Sequence, residues 1–338
     1  MRPADRAVAP TRRHVLVGVV TGLTLAGCGV DLGRLTEVRW DRDEPIPERT
    51  PGPDELARRD AVTLADTLHR STGTAATAAG GDLGTLLSVL AAGHGAQLDA
   101  LGATDLAVET PTPAPETVTT PPAEPVLLPV QELPAAETAA AFAALAAIEQ
   151  PSGPMARLLA SVAAADVVHA RLLAAALGQE PPEVPSTVTD ATRQRWASSL
   201  DDDAAAALTA ALQGEYAAAH GYGLVAARLR DGAREQAAAH LAAHEVTAAT
   251  LTEVLREADR PVPVAEPAYA LPAPAGTEGE VRALALTLEE RCAARYAATV
   301  QATTDGARLL VADELVAAAL RGAAWRGTSV PLPGFTTG

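Results

Sequence analysis

Four apolar helical stripes between Asp201 and Arg326 each carry one polar residue, and this pattern constrains the fold more than any other feature of the sequence. The first stripe, at heptad spacing, consists of Leu208, Leu212, Glu215, Ala219, Tyr222, Ala226 and Leu229. The next three segments place His244, Glu289 and Asp313 in line with Leu and Ala residues. A charged group on an apolar face needs a partner when it is buried. The pattern therefore predicts a four-helix bundle with a central polar site.

The composition of the whole chain favours helices. The chain has 338 residues, only 3% of them aromatic, and Ala and Leu dominate it. We therefore predict an all-α fold. The formal net charge of −16 would repel phosphate backbones, so the sequence argues against nucleic acid as a partner. Signatures of phosphate-binding loops, Ser/His/Asp catalysis and Cys-x-x-Cys redox chemistry are missing from the sequence.

The first 28 residues are typical of a targeting segment. A basic region that ends in Arg12-Arg13 precedes an apolar run, and the motif Thr-Arg-Arg-x-Val-Leu resembles a twin-arginine export signal. Leu25-Ala26-Gly27-Cys28 resembles a bacterial lipobox, in which the cysteine thiol is lipidated. These resemblances predict an exported protein that is anchored to the extracytoplasmic face of the cell membrane through Cys28.

Proline-rich stretches divide the mature chain into two helical halves. We predict a flexible tether over 29–53, a first helical bundle over 54–178 with a Pro/Thr-rich crossover at 107–135, a linker over 179–200, and a second bundle over 201–335. The predicted helices cover 54–71, 82–101, 137–149, 155–177, 202–230, 233–258, 279–303 and 305–325. The repeated order of hairpin, long crossover and hairpin indicates that the two bundles are similar.

The second half resembles a ferritin-like domain of unknown function found in bacterial lipoproteins of the actinobacterial type. The motifs that carry this resemblance are Gly214-Glu215-Tyr216, His220-Gly221-Tyr222-Gly223, Ala243-His244-Glu245, Tyr269-Ala270-Leu271-Pro272, Leu288-Glu289-Glu290 and Ala324-Trp325-Arg326. The resemblance covers about residues 201–335. It implies a ferritin-like four-helix bundle with one long crossover.

Metal enzymes of the ferritin-like class typically use a Glu-x-x-His motif on two of their helices, and no such motif occurs in 201–338. Two interpretations of the central polar set therefore stay open. It could hold one metal ion, with iron, manganese and zinc as the options, or it could form a buried hydrogen-bonded network with Tyr222 or Tyr296. The members of the set are Glu215, His244, Glu289 and Asp313, with His240 as a weaker candidate ligand one helical turn before His244.

The first half offers a second candidate metal site. Asp166 and His169 share a helix face at i and i+3, and His94 lies on the apolar seam of an earlier helix. For the whole protein the sequence favours a membrane-anchored, cofactor-free scaffold or partner-binding module of the cell envelope rather than an enzyme. The alternative is a metal-binding or redox bundle.

Overall fold

The structure of the chain is a computed structural model that describes residues 50–103, 127–184 and 200–335. Within these residues it contains eight α-helices and no strand, which confirms the predicted all-α fold. The helices are α1 Pro53–Ala79, α2 Gly81–Ala100, α3 Leu133–Ala147, α4 Gly153–Leu177, α5 Asp202–Arg228, α6 Asp231–Glu257, α7 Glu278–Ala302 and α8 Asp305–Arg326. The signal segment, nearly all of the tether, and most of the predicted crossover and linker lie outside the described residues.

The predicted helices occur in the expected order, with three differences at their starts and ends. Helix α1 continues through Gly73 to Ala79 instead of ending near Ser71. Helix α3 begins at Leu133, one turn before the predicted start at Glu137. Asp231, predicted to lie in a turn, is the first residue of α6 and has a positive φ of 49°. The second difference matters for function because it places Glu137 inside a helix.

Consecutive helices pair as hairpins, and the hairpins assemble around a shared core. The paired helices are α1 with α2, α3 with α4, α5 with α6, and α7 with α8. Helix α1 also packs on α3, and α5 packs on α7. We call helices α1–α4 the first bundle and helices α5–α8 the second bundle. Helix α4 contacts both α7 and α8, so it joins the two bundles. A single cluster of buried apolar side chains consequently runs through both of them.

Helix α4 lies at the centre of this arrangement. It is the one described helix that is long and apolar enough to cross a membrane, yet 78% of its most apolar stretch is buried within the protein. Such burial is typical of a helix in the core of a folded domain. At its start, a side chain on Gly153 would collide with the carbonyl oxygen of Gln301, so glycine allows α4 to begin directly against α7.

Buried and capping polar groups fix the ends of several helices. The Arg308 guanidinium, at the start of α8, donates hydrogen bonds to the carbonyl oxygens of Ile148 (2.9 Å) and Pro151 (3.0 Å) in the turn between α3 and α4. The two halves are therefore linked by polar contacts as well as by apolar packing. At the start of α7, Thr277 forms a reciprocal capping box with Glu280.

Candidate functional sites in the two bundles

Three of the four residues predicted at the centre of the second bundle meet there. Glu215 of α5, His244 of α6 and Glu289 of α7 are all buried. The His244 imidazole lies between the two carboxylates, with Nδ1 2.7 Å from Glu215 Oε2 and Nε2 3.2 Å from Glu289 Oε1. Each ring nitrogen therefore already has a carboxylate partner within the protein.

The remaining carboxylate oxygens are also bonded. Tyr296 donates its hydroxyl proton to Glu215 Oε1 at 2.5 Å. Tyr222 donates to Glu289 Oε1 at 2.6 Å, and Arg321 donates from Nε to Glu289 Oε2 at 2.9 Å. The predicted involvement of tyrosine in this network is thus observed for both Tyr222 and Tyr296. We call these six side chains the second-bundle network: Glu215, Tyr222, His244, Glu289, Tyr296 and Arg321.

The geometry of the second-bundle network favours a protonated His244. Burial alone would lower its pKa, but hydrogen bonds to Glu215 and Glu289, together with their charges, raise the pKa to about 9. The pKa of Glu289 is lowered against the effect of burial by its bond to His244 and by the charge of Arg321. Two buried carboxylates are therefore balanced by one imidazolium and one guanidinium, so the network is electrically neutral without a metal ion.

The structure corrects the prediction for α8. Asp313 is half-buried and is not among the groups bonded to Glu289. Its neighbour Glu314 faces the bundle instead, where it accepts a hydrogen bond from Thr247 (3.0 Å) and burial raises its pKa to about 6. The α8 side chain that reaches Glu289 is Arg321, seven residues after Glu314 and so on the same helix face. The stripe residues Leu309 and Val316 are buried as predicted, and both Asp313 and Glu314 are half-buried.

His240 lies at the edge of the second-bundle network, as its spacing from His244 predicts. Its Nδ1 is 3.8 Å from Glu289 Oε1, beyond hydrogen-bond distance. Trp325 Nε1 donates towards both Tyr222 Oη (2.8 Å) and His240 Nδ1 (3.1 Å). Because Nδ1 must accept this bond, His240 is neutral. Its pKa of about 4, lowered mainly by burial, agrees.

Cys292 of α7 lies beside this network. A cysteine sulfur, a Glu215 oxygen and a His244 nitrogen lie within 4.8 Å of one another, which is a geometry that could hold a metal ion. However, burial raises the pKa of the Cys292 thiol well above its ordinary value, and the charges of Glu215 and Glu289 add to that effect. In the absence of a metal ion, a thiol that is held protonated is a poor nucleophile.

The first bundle brings its three predicted ligands together and adds a fourth. His94 of α2 and both Asp166 and His169 of α4 are buried around Glu137 of α3. One potential ligand atom from each of these four side chains lies within 4.8 Å of the others. We call them the first-bundle cluster. Glu137 was missed because the predicted helix began at that residue; its heptad relation to the buried residue Ala144 was the available signal.

Gln97 fixes two members of the first-bundle cluster. His94 Nδ1 lies 2.9 Å from Gln97 Oε1, and Gln97 Nε2 donates to Asp166 Oδ1 at 3.1 Å. The amide oxygen can only accept, so His94 carries a proton on Nδ1 and directs Nε2 towards Glu137 Oε1, 2.9 Å away. A partner that sets the tautomer and orientation of a histidine in this way is typical around metal ligands.

Two buried atoms of this cluster have no hydrogen-bond partner. They are Glu137 Oε2 and His169 Nδ1, which lie 3.6 Å apart. The His169 ring packs closely on α2, where a side chain at Gly93 would come within 3.4 Å of its Cε1. Buried polar atoms are nearly always bonded. These two face each other just beyond hydrogen-bond distance, so either a bound cation or a small approach of the two side chains would satisfy both.

The four side chains of the first-bundle cluster differ in protonation state. Burial and the charge of Glu137 raise the pKa of Asp166 to about 8, while burial lowers that of His169. Glu137 and His94 attract each other, and this attraction outweighs the effect of burial on both pKa values. The pKa of Glu137 is lowered to about 2, and that of His94 is raised to about 9. The cluster thus contains one ion pair and two groups held neutral. A divalent cation would stabilise all four in their ligand forms.

The family comparison concerns the second half of the chain. Residues 207–337 match the family model of a domain of unknown function, DUF4439. A crystal structure of a conserved hypothetical protein, Rv2844 from Mycobacterium tuberculosis, aligns at 26% identity over 37% of this chain and 89% of that one, with a TM-score of 0.36. No curated protein matches the chain. The second-bundle network lies within the matched domain, whereas the first-bundle cluster lies before it.

Proposed function

We propose that this chain is a metal-binding helical protein whose first bundle holds one divalent transition-metal ion. The observation that carries the proposal is the pair of unbonded buried atoms, Glu137 Oε2 and His169 Nδ1, within a set of four potential ligands. The ligands would be His94 through Nε2, Glu137, Asp166 and His169 through Nδ1. Imidazole and carboxylate donors together suit iron, manganese and zinc. Bound there, such an ion would supply Lewis-acid chemistry or, if it is iron or manganese, redox chemistry.

The surroundings of the first-bundle cluster support this role. A small cavity of about 80 Å³ between α1, α3 and α4 has Asp166 in its wall. Exposed Asp60 lies in the same wall, together with alanines of α1 and α3. The two acidic side chains of this otherwise apolar wall, Asp60 and Asp166, favour a cation over an anion.

Cobalt(II) titration of the full chain tests the proposal, because Co²⁺ in an imidazole and carboxylate site gives visible d–d absorption. We expect saturation at about one equivalent per chain, with loss of the bands in His169→Ala. The matched control, His240→Ala in the second bundle, should keep them. An unchanged spectrum in His169→Ala, or a wild-type chain without bands, would refute the site.

For the second bundle we propose a ferritin-like module with a structural role. Hairpin α5–α6, a connection over 258–277 and hairpin α7–α8 follow the order of a ferritin-like bundle with one long crossover. The second-bundle network, in which two cations balance two carboxylates, supports a cofactor-free role in setting helix register. This is the part of the chain to which the scaffold or partner-binding interpretation applies. Lower stability with unchanged metal content in a folded Glu215→Gln variant would agree with it.

We further propose that the protein is exported and lipid-anchored through Cys28. The motifs Arg12-Arg13 and Leu25-Ala26-Gly27-Cys28 support this location. Expression with a radiolabelled fatty acid should label the wild-type chain and should not label Cys28→Ala. Replacement of Arg12-Arg13 by Lys-Lys should retain the chain in the cytoplasm. Equal labelling of Cys28→Ala would exclude the anchor.

A further inference from the structure

A cavity of about 450 Å³ lies where the two bundles meet. Its walls come from α2, α4, α7 and α8, and the segment Ser329–Phe335 closes one side. Most of the helical wall is made of very small residues, among them Ala96, Ala294, Ala318, Ala319, Gly322 and Ala323. The largest fully buried side chains of the described residues are mostly leucines, with Tyr222 and Tyr296 the largest of all. Protein interiors are close-packed, so a space of this size is large enough to admit a small molecule.

The C-terminal segment is a fixed wall of this cavity. Ser161 donates to the carbonyl oxygen of Pro333 at 2.7 Å, and the Arg157 guanidinium lies 4.3 Å above the Phe335 ring. Gly334 has a φ of 83°, and a side chain there would approach Ala297 Cβ within 2.5 Å and the Ala293 oxygen within 2.7 Å. The segment therefore closes the cavity by specific contacts with α4 and α7.

The charges in the wall indicate what the cavity can accept. Its ionisable residues are Glu289, Glu290 and Arg326. Arg326 is paired with Glu290 at 2.7 Å, and Glu289 belongs to the neutral second-bundle network. The single cation of the wall is thus already paired with a carboxylate. An anionic ligand would meet two carboxylates there, whereas an uncharged one would meet mainly methyl groups.

We propose that this cavity binds an uncharged, largely apolar small molecule. Its volume falls in the range of small-molecule sites, which are mostly apolar with a few polar groups. Here the few polar side chains of the wall are Glu289, Glu290, Arg326 and Ser329. The inference does not depend on the metal site, because none of the four proposed ligands lines the cavity.

Two fluorescent probes with the same ring skeleton test the proposal on the full chain. N-phenyl-1-naphthylamine is uncharged, and 8-anilinonaphthalene-1-sulfonate carries an added sulfonate. We expect saturable fluorescence enhancement with the uncharged probe and at least about tenfold weaker binding of the sulfonate, because the latter must approach the wall carboxylates. Equal or tighter binding of the sulfonate would overturn the assignment of an uncharged ligand.

A cavity-filling substitution locates the binding. Ala294→Phe places a ring in the cavity wall, whereas Ala298→Phe adds the same ring at an exposed position one turn later on α7. We expect Ala294→Phe to weaken the uncharged probe at least about tenfold and Ala298→Phe to leave it unchanged. Circular dichroism would establish that both variants are folded. Ala319→Leu provides a second filling variant if Ala294→Phe does not fold. Failure of the wild-type chain to bind the probe, or equal binding by the filling variant, would overturn the proposal.

Discussion

The two bundles solve the same electrostatic problem in different ways. Each buries two carboxylates at its centre: Glu215 and Glu289 in the second, Glu137 and Asp166 in the first. In the second bundle, protonated His244 and Arg321 neutralise the pair, and each of the four carboxylate oxygens accepts a hydrogen bond. In the first, among the described residues, the main charges that act on the carboxylates are those of His94, His169 and the carboxylates themselves. The buried guanidinium of Arg321, bonded through Nε and without a hydrogen-bond partner at Nη2, is the cation by which the second-bundle network differs from the four side chains of the first-bundle cluster.

The largest expected effect comes from breaking the second-bundle network. His244→Ala would leave Glu215 and Glu289 without their shared cation, so we expect the free energy of unfolding to fall by about 3–5 kcal/mol. Urea unfolding followed by circular dichroism measures this. His220→Ala, at an exposed position of α5, should change the stability by less than about 1 kcal/mol. Similar stability of the two variants would contradict the description of this network as ionic.

The second-bundle network also predicts a loss of stability at alkaline pH. The pKa of His244 is about 9 in the folded protein against 6.5 for an exposed histidine. Protonation of His244 therefore stabilises the folded protein by about 3 kcal/mol. This stabilisation is fully present below pH 6.5 and is lost as the pH rises through about 9. The pKa of His94 is also raised to about 9, so deprotonation of His94 lowers the stability over the same pH range. The relevant measurement is therefore the difference in free energy of unfolding between the metal-free wild type and His244→Ala, followed as the pH rises. A difference that does not shrink with rising pH would contradict the prediction.

Removal of the support behind the first-bundle cluster should weaken metal binding without abolishing it. Gln97 fixes the His94 tautomer and holds Asp166. We expect Gln97→Ala to lower metal affinity by about 10–100-fold, as other outer partners of metal ligands do. Competition titration with a chromophoric chelator measures the change. Gln213→Ala, exposed on α5, is the matched control. Equal affinities would show that Gln97 does not orient these ligands.

The smallest expected effect concerns the helix ends. Among the described helices, side-chain caps occur on α5 and α7 of the second bundle, at Asp201 and Thr277. Thr277→Ala should cost about 1 kcal/mol of stability because it breaks the capping box. Thr287→Ala, inside α7, loses only a bond to the Ala283 carbonyl oxygen and should be nearly neutral. Thermal unfolding of the two variants decides whether the cap stabilises α7.

Much of the fold could be predicted from the sequence because the helix signals are local. The proline and glycine breaks near Pro151, Gly178 and Pro261 predict helix ends to within a few residues. The positions of Glu215, His244 and Glu289 followed from apolar stripes on helices that also carry polar faces. These stripes are clear wherever the opposite face is charged, as in α6.

The errors arose where the helices are almost uniformly apolar. In α8 a run of Ala, Leu and Val surrounds Asp313, so periodicity does not distinguish its face from that of Glu314, and Arg321 was not assigned a role. In α3 the inward direction of Glu137 depends on a helix start one turn earlier than predicted. The three-residue spacing of His94 and Gln97 was visible in the sequence. The contact of Gln97 with Asp166 depends on how α2 and α4 pack, which the sequence does not specify locally.

Elemental analysis of the full chain, purified without a metal-affinity tag, tests the central contrast most directly. We expect about one equivalent of iron, manganese or zinc in the wild type. Glu137→Gln should lose it, while Glu215→Gln and His240→Ala should retain it wherever circular dichroism shows them folded. A folded wild-type chain that contains no metal and takes none up on titration would contradict the account. So would retention of metal by Glu137→Gln.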